Sequence, residues 1–148
     1  MVLLKTFHAL GAVAEESLRL GRTGLGDSDF RVLEVLLHRG PLPVNTIGPK
    51  VRLTPGSISV AVDRLEQKGL VKRKNTDDRR VRRVELTAQG RTLIAKTFRE
   101  HAAAMEEAAA VLPQKERLIL LRLLKKLGKG GEGESQARRA TLPGDLAS

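Results

Sequence analysis

Apolar residues recur at spacings of three and four from the start of the chain. Leu3, Phe7, Leu10, Val13, Ala14 and Leu18 form one stripe, which predicts a helix over 2–20 that Gly21, Gly24 and Gly26 bring to an end. Asp27 or Ser28 offers a cap for a second helix carrying Phe30, Val32, Leu33, Leu36 and Leu37, and "RGPLP" stops it. A short third helix is expected from about Val44 to Val51, with Pro49 as an internal irregularity, because proline removes a backbone donor. In the stretch "LTPGSISVAVDRLEQKGLV", Thr54 can cap and Pro55 suits the first turn. Ile58, Ala61, Val62 and Leu65 then fall on one side, while Gly56, Val60, Asp63, Arg64 and Gln67 fall opposite. Gly69 supplies the stop, with Leu70 packing beyond it.

Beyond Gly69 the period changes. Val71, then Val81, Val84 and Leu86 after an Asn-Thr-Asp-Asp turn, predict two short strands around a charged tip. Thr87 can cap a long helix to about Val111, and Pro113 opens a last one to about Leu127. That last helix carries Leu118, Ile119, Leu120, Leu121, Leu123, Leu124 and Leu127, a band too wide for one buried stripe on a small monomer, so a partner subunit is expected to cover it. Residues 128–148, rich in Gly and poor in apolar residues, are expected to be disordered.

Helix, turn, helix and hairpin in that order make a winged helix-turn-helix, whose second helix enters the major groove of DNA. The expected fold class is mainly α (α+β). A DNA-binding lobe with a two-stranded wing would span 21–90, and residues 1–20 and 91–127 would form a helical dimerisation region.

Charge sharpens this picture. The chain has a formal charge of +10, and between Lys50 and Arg91 twelve Lys or Arg stand against five Asp or Glu, a local net of +7. There is no Trp or Tyr and only three Phe, so no aromatic platform exists for stacking unpaired bases, and duplex DNA is the favoured nucleic acid. With no cysteine, disulfides, thiolate nucleophiles and zinc knuckles are excluded. No apolar run reaches the roughly 18–20 residues of a membrane span and no leader is evident, so a cytoplasmic protein without membrane contact is expected. His8, His38 and His101 are scattered, which leaves no metal set, and no cofactor is expected. No nucleophile sits beside a base, and "LGKGGEG" follows no strand that would make it a phosphate loop, so the chain does not read as an enzyme.

A helix end that approaches base edges cannot be crowded, so Thr54, Pro55, Gly56, Ser57 and Ser59 make physical sense as a reading surface. Free amides of the first turn favour phosphate, the hydroxyls can meet bases or phosphates, and Val60 can touch a thymine methyl. Arg64, one turn on, is placed to reach the DNA backbone. At the hairpin, Arg79, Arg80, Arg82 and Arg83 form a cationic finger for a minor groove or flanking phosphates, and Asp78 can orient Arg80. The bland alternatives are plain helix capping for Thr54 and Pro55, a solvated turn for the arginines, and turn-shaping for Asp78.

"DRRVRRVELTAQG", with Asp78, Arg80, Val84, Leu86, Thr87 and Gly90 in the pattern Asp-x-Arg-x-x-x-Val-x-Leu-Thr-x-x-Gly, together with "VDRLEQKGLVKR", resembles the MarR family of bacterial transcriptional regulators over about residues 1–127. The resemblance implies an obligate homodimer joined through the first and last two helices, which binds a pseudopalindromic operator and usually represses. It also implies relief by a small aromatic or phenolic ligand between the dimerisation helices and the DNA-binding lobe, and Phe7, His8 and Phe30 are the candidate pocket residues, with core or interface packing as their ordinary alternative. Val60 and Pro49 depart from the family's usual residues, the lack of Cys removes a thiol switch, and "PVNTIGPKVRLTPGSISVAVDRLE" looks closest to the branch that answers quinone or phenolic stress. Two other readings compete with a specific regulator: a nonspecific or architectural DNA-binding protein, and a protein-interaction module with a degenerate wing.

Overall fold

The computed structural model describes residues 1–75 and 82–141, with side chains except at 132 and 134–141. Six helices and three short strands follow one another among them: α1 (Val2–Leu20), α2 (Asp27–Arg39), β1 (Leu42–Pro43), α3 (Val44–Val51), α4 (Pro55–Gln67), β2 (Val71–Asn75), β3 (Arg82–Leu86), α5 (Ala88–Ala108) and α6 (Gln114–Thr141). Residues 1–108 form one compact unit, and a second begins at Ala109. No helix among the described residues is long and apolar enough to cross a membrane.

The first unit is built around the apolar faces that the periodicity marks. Phe30, Val32, Leu33 and Leu36 of α2 meet Ile47 and Val51 of α3, Ile58, Ala61, Val62 and Leu65 of α4, Val71 and Val84 of the sheet, and Ile94 of α5, all of them buried. Helix α4 begins as expected: Thr54 Oγ1 accepts from the Ser57 amide at 3.2 Å, which satisfies an N-terminal donor, and Pro55 follows at the first helical position. It ends where Gly69 turns left-handed, with φ +70°. The Leu70 amide then donates back to Leu65 O at 3.0 Å.

Three features differ from expectation. Helix α2 is capped by Gly26, not by Asp27 or Ser28, and no side chain caps it. Both candidates are engaged elsewhere: Asp27 accepts from Arg31 Nε at 3.0 Å, and Ser28 Oγ accepts from Arg64 at 3.2 Å. The wing sheet has three strands in the order β1-β3-β2, because Leu42 and Pro43 pair with Val84 and Arg83. Proline is tolerated there since β1 is an edge strand, whose outer side makes no ladder bonds.

The third difference concerns the stretch expected to be disordered. Helix α6 continues past Leu127 to Thr141 through Gly128, Gly130, Gly131 and Gly133, while 142–148 lie outside the described residues. Once the leucine-rich turns have met the cost of nucleation, each added residue closes another backbone bond, and Gln136, Ala137, Arg138, Arg139 and Ala140 are all good helix formers.

A glycine secures the junction between α4 and α5. The Thr87 amide donates to Leu70 O at 3.1 Å, and its hydroxyl donates to Gly69 O at 2.7 Å. The Gly90 amide closes the turn by donating to Thr87 Oγ1 at 3.0 Å, so Thr87 caps α5 as its sequence position predicts. A Cβ on Gly90 would stand 1.9 Å from Leu70 O, so the approach requires glycine.

Candidate nucleic-acid interface

Burial of Ile58, Ala61, Val62 and Leu65 turns the other side of α4 outward. Thr54, Pro55, Gly56, Ser57, Ser59 and Val60 are all exposed there. Their hydroxyls are partly committed. Thr54 Oγ1 donates to Ser57 Oγ at 2.8 Å, and Ser59 Oγ donates to Pro55 O at 3.0 Å. Ser57 therefore keeps its own hydroxyl proton to give, while Ser59 has lone pairs to offer. Beside them Val60, a large apolar residue, is 60% exposed.

Arg64, expected to reach the DNA backbone, is also engaged within the protein. Its Nε lies 2.9 Å from Asp29 Oδ1 and 3.1 Å from Oδ2, and a further nitrogen bonds the same carboxylate and Ser28. Asp29 is 1% exposed and also receives Lys68 Nζ at 3.3 Å, while Lys68 donates to Gly24 O at 2.8 Å. The reason is electrostatic: a carboxylate out of water must be paired and hydrogen-bonded, and α4 with its C-cap residue Lys68 supplies both cations one turn apart. The hydrogen bond to Asp29 holds the Arg64 guanidinium pKa above its ordinary value. Arg64 is thus a tie between α2 and α4 before it is anything else.

A second tie adds to it. Arg73, at the base of the wing, bonds both Asp63 and Glu66 of α4, and its amide donates to Glu66 Oε1 at 3.1 Å. Partial burial works against its charge, yet the Asp63 bond and the field of Glu66 keep its pKa above the ordinary value. The signal for this tie is in "VDRLEQKGLVKR", where two carboxylates three residues apart on one helix face precede a strand cation. The ion pairs fix the start of β2 against α4. From there the strands run in register, Val71 opposite Leu86 through Asn75 opposite Arg82.

Arg82 and Arg83 lie exposed on β3, whereas Asp78, Arg79 and Arg80 fall outside the described residues. The candidate pocket residues are not brought together. Phe30 is buried in the core with its ring 4.8 Å from His101, while Phe7 and His8 are exposed on α1 and contact each other edge-on at 5.9 Å. Phe30 follows the packing alternative, because position 30 points inward on α2. The histidines serve separate contacts: His101 lies 2.8 Å from Ser17 Oγ, and His38 packs edge-on against Phe98.

An outward-facing, uncrowded helix start beside a cationic wing is the arrangement of a DNA reader, and comparison with known proteins agrees. The MarR family model matches residues 25–81, from the approach to α2 into the wing. The HTH-type transcriptional regulator MhqR of Bacillus subtilis is 42% identical over 106 residues, covering 71% of this chain and 73% of that one. The chain belongs to the MarR family. The HTH-type transcriptional repressor MdtR of Bacillus subtilis is 29% identical over 78% of this chain and 75% of its own. A MarR-family transcriptional regulator from Silicibacter pomeroyi shares the fold with a TM-score of 0.70 and 27% identity, covering 82% of this chain and 84% of the other. The chain is a DNA-binding regulator of transcription of the winged helix-turn-helix type.

Proposed function

We propose that the protein is a homodimeric, sequence-specific repressor, which binds a pseudopalindromic operator in the cytoplasm and is released by a small aromatic or phenolic ligand. The observation that carries the specific reading is the outward face of α4, where small hydroxyl residues surround an exposed valine above a fully buried opposite face. A helix held only for packing has no use for that surface. Thr54, Ser57 and Ser59 meet base edges or phosphates, Val60 meets a thymine methyl, and Arg82 with the wing tip meets the flanking backbone or minor groove. The apolar residues exposed along α1 and α6 support a second copy, since patches of this kind are rare on monomers. A relative named as a repressor supports that sign of regulation.

Dimerisation sets the reach of the two reading helices. An effector then acts to the extent that it binds one spacing of the heads better than the other. The test is selection of bound sites from random duplex, followed by fluorescence anisotropy at matched salt. Enrichment of a palindrome whose half-sites lie about one helical turn apart is expected. Equal affinity for palindrome and random duplex would establish the architectural reading instead.

A further inference from the structure

A second cationic surface lies away from the outward face of α4. Arg31 and Arg39 of α2, Lys50 at the end of α3 and Arg52 just after it line a cleft of about 370 Å³ in which Glu34 is the one carboxylate among the lining side chains. The floor is apolar: Val51 is buried and Val35 half-buried. Arg31 is held in place rather than free to swing, since Nε donates to Asp27 Oδ1 at 3.0 Å and a terminal nitrogen donates to Val51 O at 3.4 Å. Arg52 has a left-handed backbone, φ 55° and ψ 42°, at the turn between the two helices of the helix-turn-helix. It stands two residues before Thr54, which places the edge of the cleft within about 7–8 Å of the cap of the reading helix.

We propose that this cleft takes backbone phosphates of the duplex flanking the bases read by α4, so that the DNA contact extends onto α2 and α3. The proposal rests on the DNA-reading role of α4. A polyanion suits the site better than a small anion does. The cations stand exposed around an open rim, and the floor offers no buried polar side chain to fix a compact ligand by directed hydrogen bonds. Phosphate contacts position a protein without reading sequence, and each one releases counterions.

The test is the salt dependence of operator binding by the full chain, with Lys50→Gln, Arg39→Gln and their double variant. Arg52 is left intact because it also turns the chain. Each single change is expected to make the slope of log affinity against log salt shallower by about 0.9, and the double by about 1.8. The preference for operator over random duplex should not change. Lys96→Gln on α5, paired with Glu100, is the control that leaves the slope as it is. Trimming the flanks of the duplex should bring the wild-type slope to that of the double variant. A wild-type slope retained in both single variants and in the double overturns the proposal and leaves the reading of α4 standing. So does calorimetric binding of inorganic phosphate that depends on Lys50 and Arg39 while the DNA slope does not, which would mark a small-anion site. A wild-type chain that binds no duplex overturns both.

Discussion

The proposed DNA-binding lobe, from α2 to β3, and the terminal helices treat the same residue types in opposite ways. In the lobe, Val32, Leu33, Ile47, Val62 and Leu65 are all at 0% exposure, whereas along α1 Phe7 is at 70% and along α6 Leu118 and Leu127 are at 60%. Leucine and valine have no polar group to explain the difference. What differs is the supply of complementary faces. Helices α2, α3 and α4 each present one apolar stripe to the others and to the wing, so the lobe completes its core within one chain. The start of α1 and the middle of α6 have broader apolar bands that one chain leaves open. On the proposed dimer, folding and assembly would therefore be separable, and the lobe should survive changes that abolish pairing.

The strongest way to probe that separation is Leu120→Glu with Leu124→Glu on α6. Two linked reading heads gain roughly 10²–10⁴ in affinity from effective concentration, so a change that blocks pairing should cost about 10³-fold in operator binding, with the mass by light scattering falling to that of one chain. The denaturation midpoint of the lobe should stay within a few tenths of a kcal/mol of its original stability at matched monomer concentration. Loss of both properties together would show that the lobe depends on its partner. The converse is Gly90→Ala. Its methyl group would meet Leu70 O, and displacing backbone on both sides of the α4–α5 junction should cost about 3 kcal/mol, read from the urea midpoint.

Legibility in the sequence followed the same division. Helices α1, α2 and α4 were readable because each carries an apolar stripe with a stop after it: glycine after α1 and α4, "RGPLP" after α2. The start of α4 was readable to the residue, since Thr54 and Pro55 carry local chemistry that works without any tertiary partner. Strand β1 was hidden because it is two residues long and contains Pro43, so its existence depends on pairing with a strand some forty residues later. The continuation of α6 was hidden because its glycines look like a linker, while helix propagation depends on what precedes them. Among site residues the outward face of α4 was legible from periodicity alone. The partner of Arg64 was not, because an arginine on a charged stretch looks identical whether it serves a phosphate or a buried carboxylate 35 residues away.

Arg64 therefore separates stability from recognition within one residue. Replacing it with Ala leaves the buried Asp29 to Lys68 as its cation among the described residues, and should cost roughly 1–3 kcal/mol of stability by urea denaturation. Arg64→Lys retains a charge but not the forked geometry, and should recover part of that loss. If Arg64→Ala lowers operator affinity with no change in stability, the guanidinium serves DNA and the Asp29 contact is secondary. The Arg73 ties predict a different outcome. Arg73→Ala should loosen the wing against α4 and weaken flanking contacts, with roughly 1 kcal/mol of stability lost because the side chain is only partly buried.

The smallest effect is expected at Val60, the apolar residue of α4 that the core does not take in. At 60% exposure it gives little to stability, so Val60→Ala should move the unfolding midpoint by less than about 0.5 kcal/mol, and the better helix propensity of alanine offsets part of even that. Its effect should appear in discrimination. Truncation to alanine removes the apolar packing of a valine methyl on a thymine methyl, worth about 1 kcal/mol at one base pair, so the preference for thymine there should fall about fivefold. The salt slope should not change, because no phosphate contact is removed. Replacing that thymine with uracil in the operator removes the same methyl from the DNA side. In a double-mutant cycle the two losses should fail to add, since either one deletes the whole interaction. Additive losses would place Val60 over a different base or over none, and the hydroxyls of Thr54, Ser57 and Ser59 would then carry the reading by α4.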